Sequence, residues 1–372
     1  MTAIPSAPAH AFTDDREREA LAKIARARAT ALKSPKFRDE RITMAHGAGG
    51  KATASLVGGL LLPAFASPAL DLLDDAGAID VAGARIAVTT DSFVVRPLRF
   101  PGGSIGELAV NGTVNDLAMV GAKPLAITLS LVLEEGLESS VLRGEIDAIA
   151  GAARRAGVTI IAGDTKVVER GHADGMYICT TGIGERDRRA HLSPASLRPG
   201  DQIIVSGSVG EHGMAIMLAR GEFELDSEIV SDTRPLWPAA DALLAFGSSV
   251  RCMRDATRGG VATVLNELAV ASNVTVVVHE AHVPIRPAVI GACELLGIDP
   301  MYVANEGTFV AVVAANVAAQ AVETLSHIDG CENAAVVGEV AADPTGMVLV
   351  NTAFGGRRVM DLLVGDPLPR IC

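Results

Sequence analysis

The chain has 372 residues, a net charge of −12 from 32 Lys and Arg against 44 Asp and Glu, 49% hydrophobic residues and only 3% aromatic ones. That length allows two or three domains, the apolar share excludes wholesale disorder, and the acidic balance argues against a nucleic-acid partner. A phosphate ligand stays open to a cleft that gathers backbone N–H groups and a metal ion.

Residues 1–40, an Ala/Pro start followed by a charged stretch from Asp14 to Arg28, read as a flexible leader with a short surface helix. A first domain is expected over 41–197. It opens on the Gly-rich loop His46-Gly47-Ala48-Gly49-Gly50-Lys51, followed by a strand at Arg85–Thr90 ending in Thr89-Thr90-Asp91-Ser92. After the turn at Pro101–Gly103, Ser104 with Glu107 three residues on predicts a capping box for a helix carrying Asn111, Asn115 and Asp116. A helix over Arg143–Ala156, a buried strand at Val158–Ala162 and a strand at Met176–Ile183 follow.

The segment Leu197-Arg198-Pro199-Gly200-Asp201 punctuates the chain and starts a second domain, 198–364. Its signals are a strand at Gln202–Ser206, helices around Met214–Arg220 and Val261–Ala271, a strand at Val274–Val278, and more of both through Val350. Irregular alternation of this kind predicts an α/β (α+β) fold. In residues 365–372, Pro367 and Pro369 forbid a helix and favour an extended, mobile tail.

No apolar run is long enough to span a membrane, and the N-terminus lacks the layout of a signal peptide, so a cytoplasmic protein is expected. The cysteines Cys179, Cys252, Cys293, Cys331 and Cys372 form no C-x-x-C pair and are expected as free thiols. The Gly-rich loop fails as a Walker loop, because Ala45 stands where the first Gly is needed and Ala52 follows the Lys. His279-Glu280-Ala281-His282 is one residue short of a zinc-protease motif.

Acidic residues collect beside turns: Asp74-Asp75, Asp91, Asn115-Asp116, Gly163-Asp164-Thr165-Lys166 and Asp255-Ala256-Thr257-Arg258-Gly259-Gly260. Singly these are caps or turn residues; jointly they predict a Mg²⁺ site that also takes substrate phosphates. Gly259-Gly260 would aim N–H groups at an anion, and Lys166 could offset charge on a transferring phosphoryl group.

The blocks HGAGGK, TTDS, PGGSIGELAVNGTVNDLAMVGAKP, LVLEEGL, AGDTKVVERG, SGSVGEHGMA, DATRGGV, ANEG and a terminal PRIC occur in that order. Over roughly residues 41–372 this resembles the HypE family of hydrogenase maturation factors, the carbamoyl dehydratases. Several blocks are shared with selenophosphate synthetase and aminoimidazole ribonucleotide synthetase; the PRIC end is specific. The resemblance implies an aminoimidazole-ribonucleotide-synthetase-like fold of two α/β domains, with ATP in the first and the second covering it, and a homodimer pairing the sheets of the first domains. It implies that Cys372 receives a carbamoyl group from the carbamoyltransferase HypF and that ATP drives its dehydration to a thiocyanate. The cyanide would pass to iron on a HypC–HypD scaffold for nickel–iron hydrogenase. By position, Asp75, Asp116 and Asp255 match the magnesium aspartates, with Asp74 open as an alternative to Asp75. Asp91, Asn115, Gly163, Asp164, Thr165, Lys166 and Arg258 are the nucleotide candidates, and Glu306 in Asn305-Glu306-Gly307 matches a carboxylate facing the tail.

The implied chemistry suits these residue types. Oxide cannot leave, but a phosphorylated oxygen can, and that activation needs a metal and cationic groups more than covalent help. Elimination needs a base near the nitrogen, for which Glu306 is the candidate, with Lys166 stabilising charge. Cys372 supplies a nucleophilic thiolate on a tail expected in two states, outward for loading and delivery, inward for dehydration. Two other readings are a selenophosphate-synthetase-like kinase, whose relatives usually carry a Cys or selenocysteine in the Gly-rich loop that is missing here, and a nucleotide-sensing scaffold docking through its tail.

Overall fold

The computed structural model describes residues 19–24, 36–65, 67, 69–70, 73–221, 228–365 and 370–372. The extended course expected at Pro367 and Pro369, and most of the leader, lie outside the described residues. Of the leader, residues 19–24 are helical, and Leu21 is buried with Met347 and Leu349 of the second domain. No helix among the described residues is long and apolar enough to cross a membrane.

The first domain is built on a five-stranded sheet. In chain order its strands are β1 (Gly77–Val81), β2 (Ala84–Phe93), β5 (Ala122–Glu134), β6 (Thr159–Val168) and β7 (Met176–Arg186), after a short ribbon of β3 (Arg99–Phe100) and β4 (Gly103–Ser104). The spatial order is β1-β2-β7-β5-β6, antiparallel except for the β5–β6 pair. That one parallel pair needs a crossover, supplied by the helix Ser139–Ala156. The helix Ile105–Met119 is buried on nearly every side, because the sheet lies against one flank and the second domain against the other.

The second domain holds a seven-stranded mixed sheet of β8 (Gln202–Val205), β9 (Val250–Asp255), β10 (Thr275–His279), β11 (Phe309–Val313), β12 (Ala335–Ala341), β13 (Met347–Asn351) and β14 (Arg357–Met360), ordered β14-β13-β10-β12-β8-β11-β9. One face packs on the helix Gly260–Ala271; the other packs on the helices Trp237–Leu244 and Ala318–Ser326. Ala118 and Met119 of the first domain join that second core, so burial runs across the boundary expected near residue 198.

Three local expectations change. Ser104 makes no side-chain cap bond, since its buried Oγ has no partner and the residue belongs to the β3–β4 ribbon; Glu107 instead takes Arg155 at 2.6 Å. β2 runs on to Phe93, three residues past the expected end at Thr90, so Asp91 and Ser92 are themselves paired to β7. The stretch expected as a buried strand is the exposed edge β6, with Ile161 57% and Val167 67% accessible. An apolar run reports a need for cover without saying what provides it. The His279–His282 rings lie 5.3 Å apart, but His279 Nδ1 meets Asn351, and no metal-holding set forms there among the described residues.

Candidate active site

The cleft between the domains encloses a cavity of about 270 Å³. Asp75 reaches it from the approach to β1, Asp91 from β2, Asp116 from the buried helix, and Asp255 from the last position of β9 (Val250–Asp255). Arg258, Glu306 and Cys372 complete the chemically active lining. The turn Asp255–Gly260 can enter its helix only through two glycines: Gly259 has φ 76° and Gly260 φ 61°. A Cβ on Gly260 would stand 2.5 and 2.6 Å from the carbonyl oxygens of Met301 and Val303.

Burial dominates the electrostatics. It pushes the Asp75, Asp116 and Glu306 carboxyls well above the ordinary carboxylate range, and neighbouring acids push the same way. Asp255 rises to about 6 from burial and then the charge of Asp91. Burial also raises Asp91, against the pull of Arg258. Thr89 Oγ1 donates to Asp116 at 2.7 Å, and Arg254 Nε lies 3.0 Å from Asp75 Oδ1, while Asp75 Oδ2 is buried without a hydrogen-bond partner.

Crowded hard-oxygen donors with one orphaned oxygen fit Mg²⁺. Among the described residues no three His, Cys, Asp or Glu side chains converge enough to hold a metal alone. Of the two neighbouring candidates, Asp75 lines the cavity; Asp74 does not, and its charge is met by Arg254 and Arg186. A carboxylate whose folded pKa is raised is neutral and stabilising below its unfolded pKa, and that stability is lost as pH rises through the folded value. For Asp255 the loss runs from about pH 4 to about pH 6. MgCl₂ should therefore raise the melting temperature more at pH 8 than at pH 5, and Asp255→Asn should shrink the difference. Equal gains at both pH values in differential scanning fluorimetry would exclude these carboxylates as the cation site.

Two sets of candidates fall elsewhere. Asn115 does not line the cavity. Its Nδ2 donates to the carbonyls of Arg234 (3.0 Å) and Glu306 (3.1 Å), and its Oδ1 accepts from Leu236 N–H (2.8 Å). It is engaged with the backbones of Arg234, Leu236 and Glu306. Gly163, Asp164, Thr165 and Lys166 belong to β6, registered against Leu129–Val132, and none lines the cavity. Lys166 Nζ meets Asp164 at 3.1 Å with both side chains exposed. Gly163 is explained by strand packing, since a Cβ there would stand 2.7 Å from Leu129 O.

The Gly-rich loop closes one side of the site. Gly49 N–H donates to Thr53 Oγ1 (3.0 Å), Arg258 Nη1 donates to Gly47 O (3.3 Å), and Lys51 N–H donates to Leu363 O (3.1 Å). A Cβ on Gly50 would stand 2.6 Å from that same Leu363 oxygen, so the loop can lie on the chain entering the tail only as glycine.

The described end of the tail is inside. Ile371 is buried in a core that both domains share, and Cys372 lines both the acidic cavity and an adjoining one of about 250 Å³ that includes Met44, Tyr302 and Leu363. Val94 N–H donates to Cys372 O (2.9 Å), Arg370 pairs with Asp174, and Cys372 is the largest influence raising the Arg258 pKa. Sequence reasoning missed Arg254, which answers Asp75 and Glu267, and Asp232, which accepts from the N–H groups of Glu306 (2.9 Å) and Gly307 (3.0 Å). The signal for Arg254 was its place beside Asp255; none marked Asp232.

Residues 73–186 match the N-terminal domain of the AIR synthase related proteins, and residues 198–351 match their C-terminal domain. The chain is similar to carbamoyl dehydratase HypE of Rhizobium leguminosarum bv. viciae, 48% identical over 334 residues, 89% of this chain and 95% of the relative. It is 43% identical to carbamoyl dehydratase HypE of Escherichia coli K12 over 337 residues, 89% of this chain and 99% of the relative. A HypE chain from a HypE–HypF complex superposes with a TM-score of 0.79 at 42% identity, covering 83% of this chain and 99% of the other. HypE in complex with ATP superposes at 0.75 with 40% identity, covering 89% and 100%.

Proposed function

This chain belongs to the HypE family of carbamoyl dehydratases, and on that premise we propose that it dehydrates an S-carbamoyl group on its own Cys372 to a thiocyanate with ATP, giving the cyanide ligand of nickel–iron hydrogenase. The observation that carries this is the seat of the tail: Cys372 lines one cavity with Asp75, Asp91, Asp116, Asp255, Arg258 and Glu306.

Asp75, Asp116 and Asp255 would hold Mg²⁺, whose charge offsets that of the nucleotide phosphates when bound. The chain's own groups do the rest. Cys372 presents the carbamoyl group, and the Val94 N–H fixes the backbone behind it. Asp91 and Arg258 line the same cavity as Cys372; there Asp91 would face the nucleotide and Arg258 would supply cationic charge to its phosphates. The γ-phosphoryl bonds to the carbamoyl oxygen as its bond to ADP breaks. The nitrogen gives up one proton as the oxygen is phosphorylated and its second as phosphate leaves with the C–O electron pair. Glu306, buried and with a raised proton affinity, accepts a proton from that nitrogen. The sum is thiocarbamate and ATP to thiocyanate, ADP and phosphate.

A HypF-type carbamoyltransferase would load the thiol, and a HypC–HypD-type iron scaffold would take the cyanide. Mass spectrometry of the protein with such a transferase, carbamoyl phosphate and MgATP tests the reading. Cys372 should gain a carbamoyl group and then lose one water only with MgATP. A stable carbamoyl adduct that never loses water would sink it.

We propose that the chain pairs with a second copy through uncovered surface of its first sheet. Ile79, Val88 and Leu125 are exposed on the first sheet, as are Ile160 and Ile161 on β6. Such area suits a second copy in a homodimer. Because Lys166 does not reach its own cavity, it would serve from the partner copy. Lys166→Ala and Cys372→Ala proteins, each inactive alone, should then recover activity when mixed and re-paired. No recovery would place Lys166 outside the reaction in trans.

A further inference from the structure

The last three residues run antiparallel beside Val94–Arg96, with Arg370 in the left-handed region at φ 60°. Val94 N–H donates to Cys372 O at 2.9 Å and Arg96 N–H to Arg370 O at 3.3 Å. Between those two carbonyls, that of Ile371 meets His212 Nε2 at 2.7 Å. A carbonyl only accepts, so the proton is on Nε2. Nδ1 then carries a lone pair, and the Ser231 hydroxyl at 2.8 Å must donate to it. Ser231 Oγ in turn accepts from Thr233 N–H at 3.2 Å. The direction of every bond from Thr233 to the tail is thereby fixed.

His212 is fully buried, edge-on to Phe100 at 5.6 Å, and burial holds it neutral against the pull of Asp232. The same short segment also orients the base. Asp232 binds the N–H groups of Glu306 and Gly307, Thr233 Oγ1 accepts from Asn111, and Arg234 O accepts from Asn115, which also holds Glu306 O. There is no slack between these groups. A Cβ on Gly307 would overlap the Asp232 carbonyl oxygen, and one on Gly102 would stand 2.7 Å from Ser231 N and O.

We infer that His212 is a positioning residue: through the Ile371 carbonyl it latches the tail inward, and through Ser231–Arg234 it sets the Cys372 thiol in register with Glu306. The inference rests on the reading that Cys372 carries the reacting group. Loss of the latch leaves Cys372 chemically intact and lets the tail leave its seat more often.

The test uses the full chain with His212→Phe, which keeps the ring and removes the donor, and His212→Gln, which restores an amide N–H near Nε2. Alkylation of Cys372 by iodoacetamide, followed by peptide mapping, should run roughly tenfold faster in the Phe variant, the scale of one lost hydrogen bond. The Gln variant should return most of the way to wild type. Single-turnover dehydration of carbamoylated protein should fall roughly 10- to 100-fold in the Phe variant with MgATP affinity unchanged. Alkylation equal in wild type and the Phe variant, or equal in the Gln and Phe variants, overturns the latch. If the Phe variant does not fold, Ser231→Ala should show a smaller rise, and an unchanged alkylation rate there overturns the latch. Alkylation needs no catalysis, so a wild-type protein that never loses water condemns the proposed activity while the latch is still judged on its own.

Discussion

Protein carrying Cys372→Ser is expected to bind MgATP as wild type does and to form no thiocyanate at all. The serine keeps the backbone that docks the tail, because the contacts from Val94, Arg96, His212 and Arg220 all go to main-chain oxygens of Arg370–Cys372. What goes is a thiolate able to take the carbamoyl group near neutral pH; a serine hydroxyl is far less acidic and stays protonated there. No other thiol can substitute. Cys252, Cys293 and Cys331 are buried, and burial raises their thiol pKa values, Cys293 to about 11. Cys179 lies on β7, 3.3 Å from Ser92 Oγ, and does not line the cavity. Calorimetry with MgATP and mass spectrometry after loading read the two halves of the expectation. A cyanated residue in the serine variant would remove Cys372 from the reaction, and lost MgATP binding would make the tail part of the nucleotide site.

What the sequence made legible was the part written locally. Gly259-Gly260 has a local reason, since each needs positive φ. The acidic residues beside turns converge because their strands and helices end at one cleft, so Asp75, Asp91, Asp116 and Asp255 could be named in advance. What was illegible depends on elements that meet from far along the chain. Asn115 lies beside Asp116, yet one turns to the segment at 234–236 and the other to the cavity. The Gly163–Lys166 block looks like a phosphate loop, but its glycine answers to the neighbouring strand. A chain end is ordinarily frayed. Only the buried Ile371 and the distant His212 show that this one has a seat.

Glu306→Gln should leave loading of Cys372 intact and slow dehydration about 10²- to 10⁴-fold, the range of a general base. The amide keeps the shape and cannot take the proton. Its position should hold, because Asp232 and Asn115 fix Glu306 through backbone groups that the substitution leaves alone. Glu306 is 3% exposed, and burial, then Asp255 and Asp232, drive its proton affinity well above the ordinary value, against the pull of Arg258. A base must be ionised to act, so the wild-type rate should rise with pH through a midpoint above the usual carboxylate range, and the Gln variant should lose that limb. The same shift has a thermodynamic sign. The folded state binds the Glu306 proton more tightly than the unfolded state does, so its stability is complete below the unfolded pKa and drains away as pH rises through the folded one. The variant should thus melt higher than wild type at alkaline pH while dehydrating more slowly. A variant that keeps the wild-type rate, or keeps the acid limb, would show that the proton leaves by another route. Slower chemistry together with a higher melting temperature is the result peculiar to a carboxylate held charged in a place that resists charge.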